Sequence, residues 1–467
     1  MLDNLIVLIY LVGILLLGVL CGKGIRNLRE YSVVNRSFGY LVVFATLSAS
    51  FIGGGFSIGN AEKVFLFGIG NVIALWGFSL KEILVAKFIA PRIDHFPGFV
   101  SVGDIMEPRY GKMGKVITGI FSVLLNAGIV GAQVGAIGKI CVVFLNIPAV
   151  WGILIGCGIV ITYSTVGGMK AVVFTDVVQF LLLIVGIPLV LFLGIRHVGG
   201  IGVIRDSVPA GHFTLLGDRF SIWGFLSLFL TFLLGETLVP PYVQRLFIGR
   251  DAAQTSRGTL LSGIVSIPFF AITGGIGLVA LTIKADLDPT LAMPFVIREV
   301  LPIGIRGFVI AGIISIVMSS ADSFLNAASV SFVNDIVLPF KPSGFTEKKQ
   351  LFLSRMMTLL VGVLSIVFAL TIKSILDILI YAYNFWAPVI LVPLAASLLG
   401  VKAGRKSFLA GAVSGVIGVM VWNRVLHNPG NVDGLVVGVF VNLFAFWTVS
   451  RFERDAPKST PDVPSET

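Results

Sequence analysis

Five polar side chains recur along one apolar stretch, "SIVMSSADSFLNAAS": Ser315, Ser319, Asp322, Ser323 and Asn326. Steps of three and four residues line them on one helix face, a stripe of hydroxyls, a carboxylate and an amide. An aspartate inside a membrane span is costly unless paired or hydrated, and so marks function by default. Serines bonded back to their own helix, with Asp322 capping a turn, would explain these residues singly but not as a stripe. A second stretch, "YSTVGGMKAVVFTDVVQF", places Thr175, Asp176 and Gln179 on one face about one turn beyond a Gly167–Gly168 turn. Oxygen-only donors of this kind suit an alkali cation, whereas His or Cys would suggest a transition metal. Asp176 as an interfacial charge reaching for water is the plainer alternative.

Two weak points frame these stripes. "SASFIGGGFSIGNAEKVF" carries Gly53, Gly54 and Gly55 inside a run apolar enough to span a bilayer. "LLGETLVPPYVQRLFIGRD" interrupts another long apolar run with Gly235, Pro240 and Pro241. A broken membrane helix frees carbonyls that are tolerated only beside a polar cavity, where they coordinate cations. The breaks are about 180 residues apart and head two blocks of five spans in opposite orientation, as in an inverted-repeat transporter. The repeats are expected over about 40–196 and 220–400, within one transmembrane domain, 1–451, and the tail 452–467 is expected to be disordered and cytoplasmic.

The rest of the chain agrees with a membrane role. Of 467 residues, 56% are hydrophobic and 12% charged, against about 25% charged in a soluble domain. Apolar runs predict an all-α polytopic protein of about thirteen spans. They start near residues 4, 40, 69, 114, 150, 172, 220, 257, 303, 352, 377, 406 and 434. Net charge is +10. Every second loop is basic, including those with Arg26 and Arg29, Arg109 and Lys112, Arg245 and Arg250, and Lys348 and Lys349. The positive-inside rule makes those loops cytoplasmic, with the N-terminus outside and the C-terminus inside, in an inner or plasma membrane. It also explains the charge without a nucleic-acid partner. Cys21, Cys141 and Cys157 lie in or beside apolar spans without metal spacing, the histidines form no zinc pattern, and the first apolar run lacks signal-peptide flanks. The adjacent intramembrane pair Lys81–Glu82 is either a buried ion pair or a snorkelling edge.

The four segments, above all "YSTVGGMKAVVFTDVVQ", "PPYVQRLFIGRD" and "GIISIVMSSADSFLNAASVSFVNDI", resemble the sodium:solute symporter family over nearly the whole chain. The resemblance implies a leucine-transporter-like fold, two inverted five-helix repeats with flanking helices, and no enzymatic activity. It implies Na+ as coupling ion and import of a small organic solute by alternating access. Carried over by position, the principal sodium site would take carbonyls of Ala49, Ile52 and Ile316 and hydroxyls of Ser319 and Ser320. The second cation site of some members maps onto Asp176, Asp322 and Ser323 with Ser319. Candidate solute contacts are Phe51, Gly53, Phe56, Gln133 and Glu236. The segments look most like the high-affinity choline transporter branch. Of its aromatic cage only Phe51 is matched, with Ile129 and Val239 where tryptophans would stand. A monomer or loose oligomer is expected. The alternatives are a proton-coupled symporter of the same fold and a solute sensor working through a separate partner. An intramembrane enzyme would need a nucleophile–base motif, which does not accompany Asp176 and Asp322.

Overall fold

The computed structural model describes residues 2–216, 221–340, 345–371, 383–384 and 386–453. In chain order its helices are α1 (Leu2–Cys21), α2 (Leu28–Val33), α3 (Tyr40–Phe51), α4 (Asn60–Phe67), α5 (Gly70–Leu84), α6 (Val102–Ile140) and α7 (Ala149–His197). There follow α8 (Ile201–Ser207), α9 (Ile222–Leu234), α10 (Pro240–Leu246), α11 (Ala252–Ile283), α12 (Ala292–Val300), α13 (Ile305–Ser331) and α14 (Glu347–Thr371). The last three are α15 (Val392–Leu398), α16 (Arg405–Met420) and α17 (Gly434–Phe452). The architecture is all-helical, as the apolar runs require in a solvent that cannot bond exposed backbone.

Among the described residues, eight helices are long and apolar enough to cross a membrane, nine when the pair Tyr40–Phe51 and Gly55–Phe67, bent by 68°, is one span. This is fewer than the spans expected from apolar runs, and the reason is local. Runs cut by turns and breaks do not form one long helix each. The runs starting near 69 and 220 correspond to the shorter α5 and α9. Those near 150 and 172 share the 49-residue α7, which is interrupted at Gly168 (φ 47°). The run starting near 377 begins outside the described residues, as does the tail from residue 454.

The core is built around α13. Of its most apolar window 94% is buried, against 17% for α1, so α13 is enclosed by protein while α1 faces outward. Its main neighbours are α6, α7, α1 and α14. Glycines set the closest approaches. A Cβ on Gly277 would lie 2.2 Å from the Ala61 carbonyl oxygen, so α11 packs directly on the backbone of α4. At the break in α7, a Cβ on Gly168 would lie 2.5 Å from the Tyr31 ring and 2.6 Å from the Tyr31 carbonyl, which locks α2 into the notch.

Just past the end of α17, Glu453 caps the start of α16. It accepts from the N–H groups of Gly404 (2.9 Å), Lys406 (3.0 Å) and Ser407 (3.2 Å) and from the Ser407 hydroxyl. Burial pushes this carboxyl up. The Ser407 hydroxyl and the Lys406, Gly404 and Ser407 amides outweigh it and hold the carboxyl below the usual glutamate value. A depressed carboxylate stabilises the fold above its unfolded value, and that contribution is lost as pH falls through the lowered native value. Glu453→Gln is therefore expected to melt less stably at pH 7 and to flatten the acid limb of a pH–stability curve. An unchanged acid limb would show that the cap carries no charge-dependent stability.

Candidate transport site at the two helix breaks

The first break exists because Ile52 leaves the helical region (φ −69°, ψ 64°). Its N–H still reaches the Ser48 carbonyl at 3.0 Å, but the Gly53 N–H turns back to Phe51 at 2.6 Å. Ala49 therefore drops out of the i→i−4 ladder. The carbonyl of Ser50, next in the chain, accepts from the Ser320 hydroxyl of α13 at 2.9 Å. Glycine at 53 makes this approach feasible: a Cβ there would lie 3.0 Å from Ser320 Oγ and 3.3 Å from Gln133 Nε2 of α6. Gly55 is exposed, with open space where its side chain would be. Ala49, Ile52, Ile316, Ser319 and Ser320 are all buried around this junction.

The second break runs from the end of α9 through Gly235 to Leu238, whose φ of 56° is left-handed. Pro240 and Pro241 then begin α10, where a missing N–H removes no helical bond. Glu236 sits in the break. It accepts from the Tyr242 hydroxyl at 2.7 Å and from the Tyr383 hydroxyl. Aromatic rings join the two breaks. Phe51 and Phe56 pack on Phe78 of α5 with centroids 4.6 and 4.9 Å apart, Phe56 stacks on Phe270 at 5.6 Å, and Phe78 meets Tyr242 edge-on at 6.4 Å. The five solute candidates thus share one region: Gly53 with Gln133 directly, Phe51 and Phe56 through Phe78, and Glu236 through Tyr242. Lys81 and Glu82 form the buried ion pair rather than the snorkelling edge, at 2.6 Å, with the ammonium 3.6 Å from the Phe78 centroid and 4.7 Å from that of Tyr242.

The carboxylate stripe lies deeper. Asp176 accepts from the hydroxyls of Ser319 and Thr46, one on each oxygen. Ser323 contacts the Ser50 hydroxyl at 3.1 Å and donates to the Ser319 carbonyl at 2.6 Å. Asp322 accepts from the Tyr163 hydroxyl and, at 3.1 Å, from Ser323. Asp176, Ser319, Asp322 and Ser323 are thus one cluster. In its midst is a residue that counting basic loops had placed in the cytoplasm. Arg245 is fully buried and pairs with Asp176 at 2.9 Å. It also donates to Ser323 (2.5 Å), the Thr46 carbonyl (3.2 Å) and the Pro241 carbonyl (3.0 Å). The available signal was its place in the first turns of a proline-started apolar helix, not beyond it. Thr46, Tyr163, Tyr242 and Tyr383 were also missed. Each belongs to a different segment, and only the fold brings them in.

Ser319 therefore points at Asp176, while its neighbour Ser320 points at the broken helix. Among the described residues, no group of three or more His, Cys, Asp and Glu side chains is placed to hold a metal ion. The cluster is built from two carboxylates, hydroxyls, carbonyls and one guanidinium.

Comparison with known proteins bears on the family and the fold. Residues 31–418 match the model of the sodium:solute symporter family. The chain is 27% identical to the high affinity choline transporter 1 of Homo sapiens, over 88% of this chain and 74% of that one. It is 25% identical to the sodium-coupled monocarboxylate transporter 1 of Xenopus laevis (95% and 70% covered). It is 23% identical to the sodium/glucose cotransporter of Vibrio parahaemolyticus (84% and 78% covered). In structure it is similar to a Na+-coupled sialic acid symporter solved in a substrate-bound, outward-open state. The TM-score is 0.86 at 20% identity, covering 98% of this chain and 99% of that one. A nucleobase-cation-symport-1 family transporter shares the fold more distantly, with TM-score 0.56, 14% identity and 90% and 94% coverage.

Proposed function

The chain belongs to the sodium:solute symporter family, and from that premise we propose how its residues divide the work. It is a multi-pass membrane transporter, not an enzyme, and it couples sodium to the movement of a small solute on a leucine-transporter-like fold. The principal sodium ion is held by carbonyls of Ala49, Ile52 and Ile316 and hydroxyls of Ser319 and Ser320. One observation carries this assignment: the Ser320 hydroxyl already reaches the carbonyl of Ser50 at the break, beside a ladder from which Ala49 has been released. Sodium takes over the role of that hydroxyl bond and ties the end of α3 to α13. The solute lies beside it against Phe51, Gly53, Phe56, Gln133 and Glu236. By ordering the break, sodium raises solute affinity, and by linkage solute raises sodium affinity by the same factor. One charge moving down 100 mV contributes about 2.3 kcal/mol to uptake before the concentration term.

The inner halves of the broken helices, α3 and α10, close the pathway at the other end. Phe38 N–H bonds Ile248 at 3.1 Å, Arg250 N–H bonds Phe38 at 2.8 Å, and Arg245 joins α3 and α10 to α7. The basic loops support assigning this end to the cytoplasm, with the N-terminus outside. Release then requires this network to part, as alternating access of the repeats at about 40–196 and 220–400 would do. One chain supplies both breaks and the whole cluster, so a monomer suffices.

The test is Ser320→Ala. It removes one hydroxyl and is expected to fold, to lose most sodium-dependent stabilisation, and to weaken sodium affinity by about tenfold or more. Wild-type sodium affinity would remove Ser320 from the site.

A further inference from the structure

The second half of α7 runs from its break at Gly168, packed on Tyr31 of α2, to Arg196 and His197 at the opposite end. Arg205 follows in α8. Both arginines thus lie at the end away from the basic loops, where the positive-inside rule predicts few. A groove of about 590 Å³ opens there between α7, α8 and α11. Leu191 and Ile195 of α7, Ile204 of α8, Leu278 of α11 and Phe213 line it, and Arg205 is the one charged side chain on its wall. Arg205 is exposed and forms no ion pair with any described residue, its exposed neighbour Asp206 included. The rim is apolar and open: Phe192 of α7 is 62% exposed and Ile201 of α8 is 71% exposed. Apolar surface of this kind marks a face that meets the membrane. The lining residues of α7 and α11 lie within roughly 12 Å of the ends of those helices, the depth at which headgroups meet acyl chains.

We propose that this groove binds a phospholipid with an anionic headgroup, from the leaflet opposite the basic loops. An acyl chain lies along the apolar walls. The Arg205 stem lies along the same wall, and its guanidinium takes the headgroup phosphate with two parallel hydrogen bonds. A lipid with net negative charge neutralises that guanidinium, whereas a zwitterionic lipid brings an ammonium of its own and gains less. An apolar helix of another protein seated here would bury the guanidinium without a partner, at a high desolvation cost. The groove also touches the first break through one short segment. Ala210 and Phe213 line the groove on either side of His212. The His212 carbonyl accepts from the Ile69 N–H at 2.8 Å, and its ring Nε2 meets the Phe65 carbonyl at 3.1 Å. His212 therefore holds the far end of α4, the outer half of the first broken helix, and a bound lipid braces it. The site is separate from the proposed sodium site, and the test keeps the two apart.

Thermal stability of the purified full chain in one detergent is titrated with phosphatidylglycerol, with phosphatidylcholine of the same acyl chains, and with glycerol 1-phosphate. Wild type is expected to show a saturable rise with phosphatidylglycerol, a midpoint about tenfold higher with phosphatidylcholine, and no response to glycerol 1-phosphate. Arg205→Ala should raise the phosphatidylglycerol midpoint to that of phosphatidylcholine. Ala210→Trp, which fills the groove, should remove the response to both lipids. Ser320→Ala should keep the whole lipid response. The proposal is overturned by equal midpoints for the two lipids in wild type, by a phosphatidylglycerol midpoint unchanged in Arg205→Ala, by a response that survives Ala210→Trp, or by no lipid response at all. Should Ala210→Trp not fold, Ile201→Glu at the exposed rim replaces it, and an unchanged phosphatidylglycerol midpoint there overturns the proposal as well.

Discussion

Replacing Arg245 with leucine should destabilise the protein by about 3–5 kcal/mol, more than any other single side-chain change in the site. The guanidinium is fully buried and bonds partners on α3, α7, α10 and α13. Its removal leaves two carboxylates, Asp176 and Asp322, in the interior with no fixed counter-charge. A buried ion pair adds little net stability over an apolar pair of the same shape, but breaking it from one side exposes the full desolvation cost of the remaining charge. That asymmetry gives a signature. The double change Arg245→Leu with Asp176→Asn should be more stable than Arg245→Leu alone. Arg245→Lys should restore charge but not the five-donor fork, and so recover stability only in part. Thermal melting of the four proteins in one detergent measures all of this. A single mutant as stable as wild type, or a double mutant less stable than the single, would mean that Arg245 is not the counter-ion of Asp176.

The second large effect is expected at Gly168. Alanine there is expected to cost about 3 kcal/mol, from left-handed strain of roughly 1–2 kcal/mol and the remainder from overpacking. The φ of 47° is unfavourable for any side chain. The added Cβ would lie 2.5 Å from the Tyr31 ring and 2.6 Å from its carbonyl oxygen, and a backbone atom cannot rotate out of the way. Because Tyr31 also bonds Ser164 and Thr358, displacing it disturbs α2, α7 and α14 together. The expected result is a lower melting temperature with sodium dependence intact in whatever fraction folds, since Gly168 is not part of the sodium site. Gly13 is the control: a Cβ there meets nothing within 4 Å, and Gly13→Ala should leave the melting temperature within the noise of wild type.

Much of this site was legible from residue types and spacing because membranes penalise exceptions. Three glycines in an apolar run, two prolines in another, and aspartates in a third have no cheap explanation in hydrocarbon. Their meaning therefore survives without coordinates. The stripe on α13 followed from helical period, whereas its meeting with Asp176 came only with the family resemblance. Arg245 did not, because the positive-inside rule counts a basic residue near a span end as a loop residue. Whether it turns inward depends on where α10 starts, and that was set by Leu238 and the two prolines. The tyrosines were invisible for a different reason. Tyr163, Tyr242 and Tyr383 carry no signal of their own in the sequence, and only the fold brings their hydroxyls to Asp322 and Glu236. Apolar runs and continuous helices are different things in a fold that breaks its own helices, so the number of long helices is not a count of the spans.

The central claim is that sodium at the first break and solute beside it bind as one coupled unit. The most direct measurement is thermal stability of the purified protein across a solute library, once in sodium and once in potassium. A ligand that binds only the native state raises apparent stability by mass action. The account predicts at least one solute whose shift is present in sodium, absent in potassium, and lost in Ser320→Ala. A solute that stabilises wild type and Ser320→Ala equally in both salts would contradict it.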